Sequence, residues 1–410
     1  MSNRSYKGVT LTGEYLEITV NGNKIDEVKI ISPVSGLPYL LPPLVDLQHN
    51  GALGLAYNNL NGDAPAQLRN VAEHLIRNGV GRVLATFPTA PHETLRNATT
   101  ALAAALNADS QLDTLFFGIF HEGVYISPKP GWRGGHEPRY IEPPDWNKFQ
   151  LLNRISENRI KLVNVAPEEP GALDFIDKAV NSGIKVAIGH CCPVTATINK
   201  AVERGASMVT HFANGAAPMI HRFKNPFWGF LDNPNLALGL VGDGFHLPPE
   251  VVRTALKIKG SERCFMVSDA NMYSGCRPGL YHRLGGCDCV IEPNGFIHVS
   301  NQEILAGAWF QNNRSVEFLI NEVGLDFSEA WKMCSLSPAK LMGLSLPEFR
   351  KGEEATFVLA RFEQKNLEIE KTVFCGKEFT GHCQSDNARF NIKCMDIDNL
   401  KNKEVIVCNS

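Results

Sequence analysis

The sequence predicts an α/β fold: a (β/α)8 TIM-type barrel with a small β-sandwich domain built from both chain ends. Two patterns point there. Through the middle of the chain, eight apolar runs of strand length alternate with amphipathic segments of helix length. Both ends read instead as short strands broken by turn signals. Near-continuous apolar strands joined by helical crossovers make a parallel sheet, and eight such units close a barrel.

The elements follow in order. The first residues give "GVTLTG", "YLEITV" and "IDEVKII", with Asn21-Gly22 as a hairpin signal between the last two. From about Leu41 the pattern changes. The strand-like runs are "LVDLQ", "RVLATF", "LFFGIFHEG", "IKLVNVAPE", "IKVAIGH", "ASMVTHF", "LALGLVGDG" and "RCFMVSDA". Helix-like segments such as "APAQLRNVAEHLIRNG", "GALDFIDKAVNSG" and "VTATINKAVERG" lie between them. From Pro347 the chain returns to short strands, "EATFVLARF", "LEIEKTVFCG" and "KEVIVCNS". Residues 1–40 and 345–410 are therefore expected to form the small β-domain, with the barrel, residues 41–344, inserted between them. The segment from Gly381 onward is less regular and carries no functional motif.

Composition narrows the class. The chain has 410 residues and is 44% hydrophobic, enough for a large core. Lys+Arg 40 against Asp+Glu 43 leaves a net charge of -3, which does not favour a nucleic-acid or anionic-membrane surface. No apolar run approaches the roughly 20 residues that span a bilayer. The segment "MSNRSYKGVTLTGEYLEITV" has no apolar signal-peptide core. The 11 cysteines are odd in number, scattered and often inside apolar runs, as Cys264 is in "RCFMVSD". Free thiols in a reducing compartment follow, and a soluble cytoplasmic protein is expected.

Chemistry gathers at the strand ends. In barrels of this class the active site sits at the C-terminal ends of the strands, and neighbouring strands lie about 5 Å apart. The fifth run ends at His190 and the sixth near His211. Two imidazoles there can reach one metal ion. The third run places Glu122 at the same face, the eighth Asp269, and the first Gln48 and Asn50. Two histidines and a carboxylate leave an open position for water, a common catalytic zinc set. A lone histidine at a strand end is more often structural, and an acid after a strand also suits a helix N-cap, so on position alone Asp269 is open to both readings.

These residues carry a resemblance. "LPPLVDLQHNGALG", "HEGVYISPKPGWRGGHEP", "VAPE", "IGHCCPVTATINKAVERGASMVTHFANGAAPMIHR", "GLVGDGFHLPPEVVRTALKIKG", "VSDA", "PGLYHRLGG" and "LAGAWFQNN" occur in the motif order of the N-acetylglucosamine-6-phosphate deacetylases of the amidohydrolase superfamily, which the sequence resembles from about residue 40 to 345. The resemblance implies one divalent metal, zinc by family habit, on Glu122, His190 and His211, and Asp269 as the acid/base. Gln48 and Asn50 stand where binuclear members carry His-x-His; amides are poor zinc ligands, which implies a lost second metal site. The resemblance further implies that His136 contacts the substrate near its acetyl or hydroxyl groups and that the backbone at Asn214 and Gly215, with His246, receives a phosphate. Arg222 would reach the phosphate of the neighbouring subunit in a homodimer.

Departures from the family pattern cluster around the sugar and phosphate pockets. "EGVYI" replaces Glu-Gly-Pro, "NGAAP" replaces Asn-Ala-Met, "FKNPFWG" follows His221-Arg222, "SDA" replaces Thr-Asp-Ala, and Ala308 stands for serine in "LAGA". They leave open which amino sugar is bound. Two rival readings remain: another amidohydrolase with amide-hydrolase or deaminase activity on a different N-acyl or cyclic substrate, and a barrel that only binds a sugar phosphate. Gln48-x-Asn50 argues against the first, and the complete set of ligands and acid argues against the second.

Overall fold

The computed structural model describes residues 3–282, 288–300, 305–381 and 405–407. The eight apolar runs all form strands: β1 (Leu44–His49), β2 (Val80–Phe87), β3 (Phe116–His121), β4 (Ile160–Val165), β5 (Lys185–Ile188), β6 (Ala206–Val209), β7 (Ala237–Val241) and β8 (Cys264–Val267). They lie in sequence order in one eight-stranded sheet, and every pairing between neighbours is parallel. The first and last strands meet just beyond their ends, where His49 bridges Ala270 in parallel. Asp269 N–H donates to the Gln48 carbonyl at 3.0 Å and Asn50 N–H to the Ala270 carbonyl at 2.7 Å. The barrel is therefore closed at the end where the chemistry was expected.

The residue types explain the barrel. Its interior is an apolar cluster fed by every strand, including Leu47, Leu84, Phe120, Leu162, Ala187, Met208, Val241 and Phe265. Leu341, Met342, Leu344 and Leu346 pack against that cluster. A second, larger core fills the layer between strands and helices. The helix Ala64–Arg77, for example, buries Leu68, Val71, Leu75 and Ile76 at helical spacing.

The expected β-sandwich takes the form of one seven-stranded sheet made from both chain ends. Its order is Lys377–Thr380, Asn366–Phe374, Phe357–Glu363, Tyr39–Leu41, Arg4–Val9, Tyr15–Asn21, Lys24–Ile30. Gly22 turns the expected hairpin with φ 61°, and Asn21 pairs with Lys24. Leu16, Ile18 and Val20 alternate into a small core with Phe349, Phe357 and Val373.

One further sheet was not expected. Gly279–His282, Cys289–Ile291 and Ile297–Val299 form an antiparallel set after β8, and Val405–Val407 joins it in parallel beside Gly279–His282. The strand read in "KEVIVCNS" thus pairs here and not in the chain-end sheet. The rest of the segment beyond Gly381, and most of "HRLGG", lie outside the described residues. Among the described residues, no helix is long and apolar enough to cross a membrane.

Candidate active site

Three residues reach the barrel mouth by the same local device. His190, His211 and Asp269 each sit two residues past a strand end, beyond β5, β6 and β8. All three have left-handed backbone, with φ of 49°, 28° and 50°. A non-glycine residue there costs about 1–3 kcal/mol, so the surrounding packing must impose it, and such strain concentrates at functional sites. Glu122 directly follows β3, and its N–H donates to the Phe87 carbonyl at the end of β2, 3.1 Å away.

The four side chains converge. His211 Nε2 lies 2.9 Å from His190 Nε2 and 3.2 Å from Glu122 Oε1. His190 Nε2 lies 3.5 Å from the same carboxylate oxygen. Atoms bound about 2.0–2.1 Å from a tetrahedral ion sit about 3.3 Å apart, so this spacing and donor set fit one divalent metal. His190 Nδ1 faces the Trp132 carbonyl at 3.1 Å. A carbonyl only accepts, so Nδ1 carries the proton and Nε2 presents its lone pair. Glu122, His136 and His190 also form a metal-capable group, with ligand atoms within 4.8 Å of one another. The set with His211 is tighter.

The amides and the acid form a second layer. Gln48 Nε2 donates to Glu122 Oε1 at 2.8 Å and to Asp269 Oδ1 at 3.2 Å. Asn50 Nδ2 donates to the same Asp269 oxygen at 2.9 Å. These amides therefore hold carboxylates. Burial raises the pKa of Asp269; His211 and His246 pull against that rise while Glu122 adds to it. Burial also opposes the charge on Glu122, but the His190 and His211 imidazoles against it hold its pKa well below the usual carboxylate range. His246 is fixed by Asp243, whose Oδ2 lies 2.7 Å from Nδ1. Its Nε2 faces Asp269 Oδ2 across 3.8 Å. The two other histidines at these strand ends are structural. His49 Nδ1 bonds the Tyr57 hydroxyl at 2.7 Å, and burial lowers its pKa to about 3. His121 packs against Tyr125 and Phe149.

The chain is 26% identical over 321 residues to the N-acetylgalactosamine-6-phosphate deacetylase of Escherichia coli O157:H7, across 78% of this chain and 82% of that one. It is 27% identical over 374 residues to the N-acetylglucosamine-6-phosphate deacetylase of Haemophilus influenzae, across 90% and 93%. The chain is thus similar over most of its length to N-acetylglucosamine-6-phosphate deacetylases. No family model matches it. Its fold is that of the N-acetyl-D-glucosamine-6-phosphate deacetylase of Mycobacterium smegmatis, a mutant of which was solved with N-acetyl-D-glucosamine-6-phosphate: TM-score 0.80, 23% identity, 93% of this chain and all of that one covered.

The remaining residues carried over from the deacetylases are placed as follows. Asn214 and Gly215 lie on the loop after His211, against His190. Gly215 has φ 59°, and a Cβ there would stand 2.4 Å from His190 Nδ1, so only glycine fits. Ala308 is buried, and its N–H donates to the Asp269 carbonyl at 2.9 Å. Arg222 is exposed and does not join the cluster; its carbonyl accepts from Trp228 Nε1 at 2.8 Å.

Several residues escaped the sequence reading. Asp46 is fully buried, and its Oδ1 accepts from Ser268 N–H at 3.1 Å and Gln48 N–H at 3.2 Å. Its Oδ2 accepts from the Ser268 hydroxyl. It ties β1 to the exit of β8, the two segments that carry Gln48, Asn50 and Asp269. Trp132 acts through its carbonyl, Asp243 through His246, and Thr89 through His136. Only Asp46 and Asp243 left a trace in the sequence, as acids inside or just after apolar runs.

Proposed function

We propose that the chain is a metal-dependent deacetylase that hydrolyses the N-acetyl amide of an amino-sugar phosphate, N-acetylglucosamine 6-phosphate to glucosamine 6-phosphate plus acetate. The observation that carries this reading is the convergence of Glu122, His190 and His211 beside the Asp269 carboxylate at one barrel mouth. The deacetylase names of the relatives supply the substrate class.

Glu122, His190 and His211 would hold the ion, zinc by donor set. Such an ion lowers the pKa of a water and polarises a carbonyl. The chain's own residues move the proton. Asp269 Oδ1 is occupied by two amide donors, which leaves Oδ2 as the oxygen that accepts a proton from the attacking water. The water oxygen bonds to the amide carbon, and Oδ2 then gives that proton to the departing nitrogen as the C–N bond breaks. His136 donates to the substrate oxygen as charge develops on it.

The phosphate would meet the backbone at Asn214 and Gly215, with Arg222 arriving from a second copy of the chain, while His246, whose Nε2 faces Asp269 Oδ2, would meet the sugar beside the acid. Around Arg222, Met219, Phe223 and Trp228 are 87%, 75% and 56% exposed, an apolar face suited to a homodimer. The buried thiols of Cys191, Cys264 and Cys334, none in a disulfide, suit a cytoplasmic enzyme. A screen for acetate release from N-acetylglucosamine and N-acetylgalactosamine, each with and without the 6-phosphate, tests the reading. Turnover of a 6-phosphorylated sugar is expected, and the screen also decides the epimer. No acetate from any of the four would overturn the reading.

A further inference from the structure

Two histidines stand side by side at the mouth, yet opposite backbone groups hold them. The His136 and His190 rings are 4.4 Å apart between centroids. His190 Nδ1 faces a carbonyl, that of Trp132. His136 Nδ1 faces an N–H, that of Thr89, at 3.3 Å, and the Thr89 hydroxyl lies 2.7 Å from the same nitrogen. An N–H can only donate, so His136 Nδ1 must present a lone pair, and a neutral imidazole then carries its proton on Nε2. A metal bond through Nε2 would need the reverse: a lone pair on Nε2 and a proton on Nδ1 aimed at the Thr89 N–H.

We propose that Thr89 is a positioning residue that locks His136 in the Nε2–H tautomer, which keeps it off the metal and makes it a proton donor to the substrate. The identity of the accepting oxygen rests on the deacetylase reading; the tautomer does not. The chain makes room for this clamp. Thr89 lies two residues past β2, and Gly123 follows the ligand Glu122. A Cβ on Gly123 would fall 2.0 Å from Thr89 Oγ1 and 2.8 Å from Thr89 N. Thr89 closes on His136 because position 123 has no side chain. The end of β2 thus serves both neighbours: the Phe87 carbonyl anchors Glu122, and Thr89 sets His136.

The test uses the zinc-loaded protein and three readouts. First, His136→Gln, with its fold checked by circular dichroism, is expected to keep its metal by elemental analysis; a folded variant that loses the ion would make His136 a ligand and overturn the proposal. Second, 15N spectra of histidine-labelled protein, with the His136 signals assigned by their loss in that variant, should show the Nε2–H form in the wild type and also in Thr89→Val, which keeps the backbone N–H. An Nδ1–H form in either protein contradicts it. Third, Thr89→Val should lower kcat about ten-fold, with KM within about two-fold, and Thr89→Ser should restore most of the rate. A Thr89→Val enzyme with wild-type kcat rejects the clamp. The first two readouts need no substrate, so a wild type that releases no acetate would defeat the deacetylase reading while the tautomer question is still decided.

Discussion

At the residue scale, Asp269 and the two histidines beside Glu122 would make separable contributions. Asp269→Asn keeps shape and polarity but cannot take a proton from water, so turnover should fall about 10²-fold or more while the metal stays bound. Wild-type kcat in that variant would reduce Asp269 to a structural acid. His190→Ala and His211→Ala should each lose the ion, read by elemental analysis, since a two-ligand remnant holds zinc poorly. These residues were legible because strand runs can be found in a sequence, and a histidine or acid just past a run has a defined place on the barrel. Thr89 and Trp132 were not legible. Trp132 acts through its carbonyl and Thr89 through its N–H and hydroxyl, and only the fold says what those groups face.

At the element scale, the seam between β1 and β8 decides whether Gln48, Asn50 and Asp269 share one geometry. Asp46 and Ser268 bridge that seam inside the protein. Asp46→Ala strands the Ser268 and Gln48 N–H donors without an acceptor, at about 1–3 kcal/mol for each buried unsatisfied group. The expected result is a clear fall in Tm and in activity with the metal ligands themselves unaltered. A melting curve that overlays the wild type would show that the bridge is dispensable. The eight strands were readable from near-continuous apolar runs, but the sheet after β8 was not. Its strands Cys289–Ile291 and Ile297–Val299 have three residues each, too short for a period to register. Val405–Val407 was recognisable as a strand, yet its partner was not, because alternation fixes faces and not neighbours.

At the scale of the whole molecule, a second copy of the chain would complete the mouth of the closed barrel. Arg222→Ala should harm a 6-phosphorylated substrate far more than its unphosphorylated analogue, mainly through KM, since a contact to a remote phosphate is chiefly a binding contact. Equal loss on both substrates, or full activity in a wild-type monomer, would remove Arg222 from the phosphate site. The central claim is that one ion, held by Glu122, His190 and His211, makes this site a deacetylase, with Gln48 and Asn50 binding carboxylates where a second metal would need ligands. Titrating metal-stripped protein with Zn2+ while following acetate release from N-acetylglucosamine 6-phosphate tests it most directly. Activity should rise from near zero and break at about one ion per chain. Undiminished activity without metal, or a break at two ions per chain, would contradict the account.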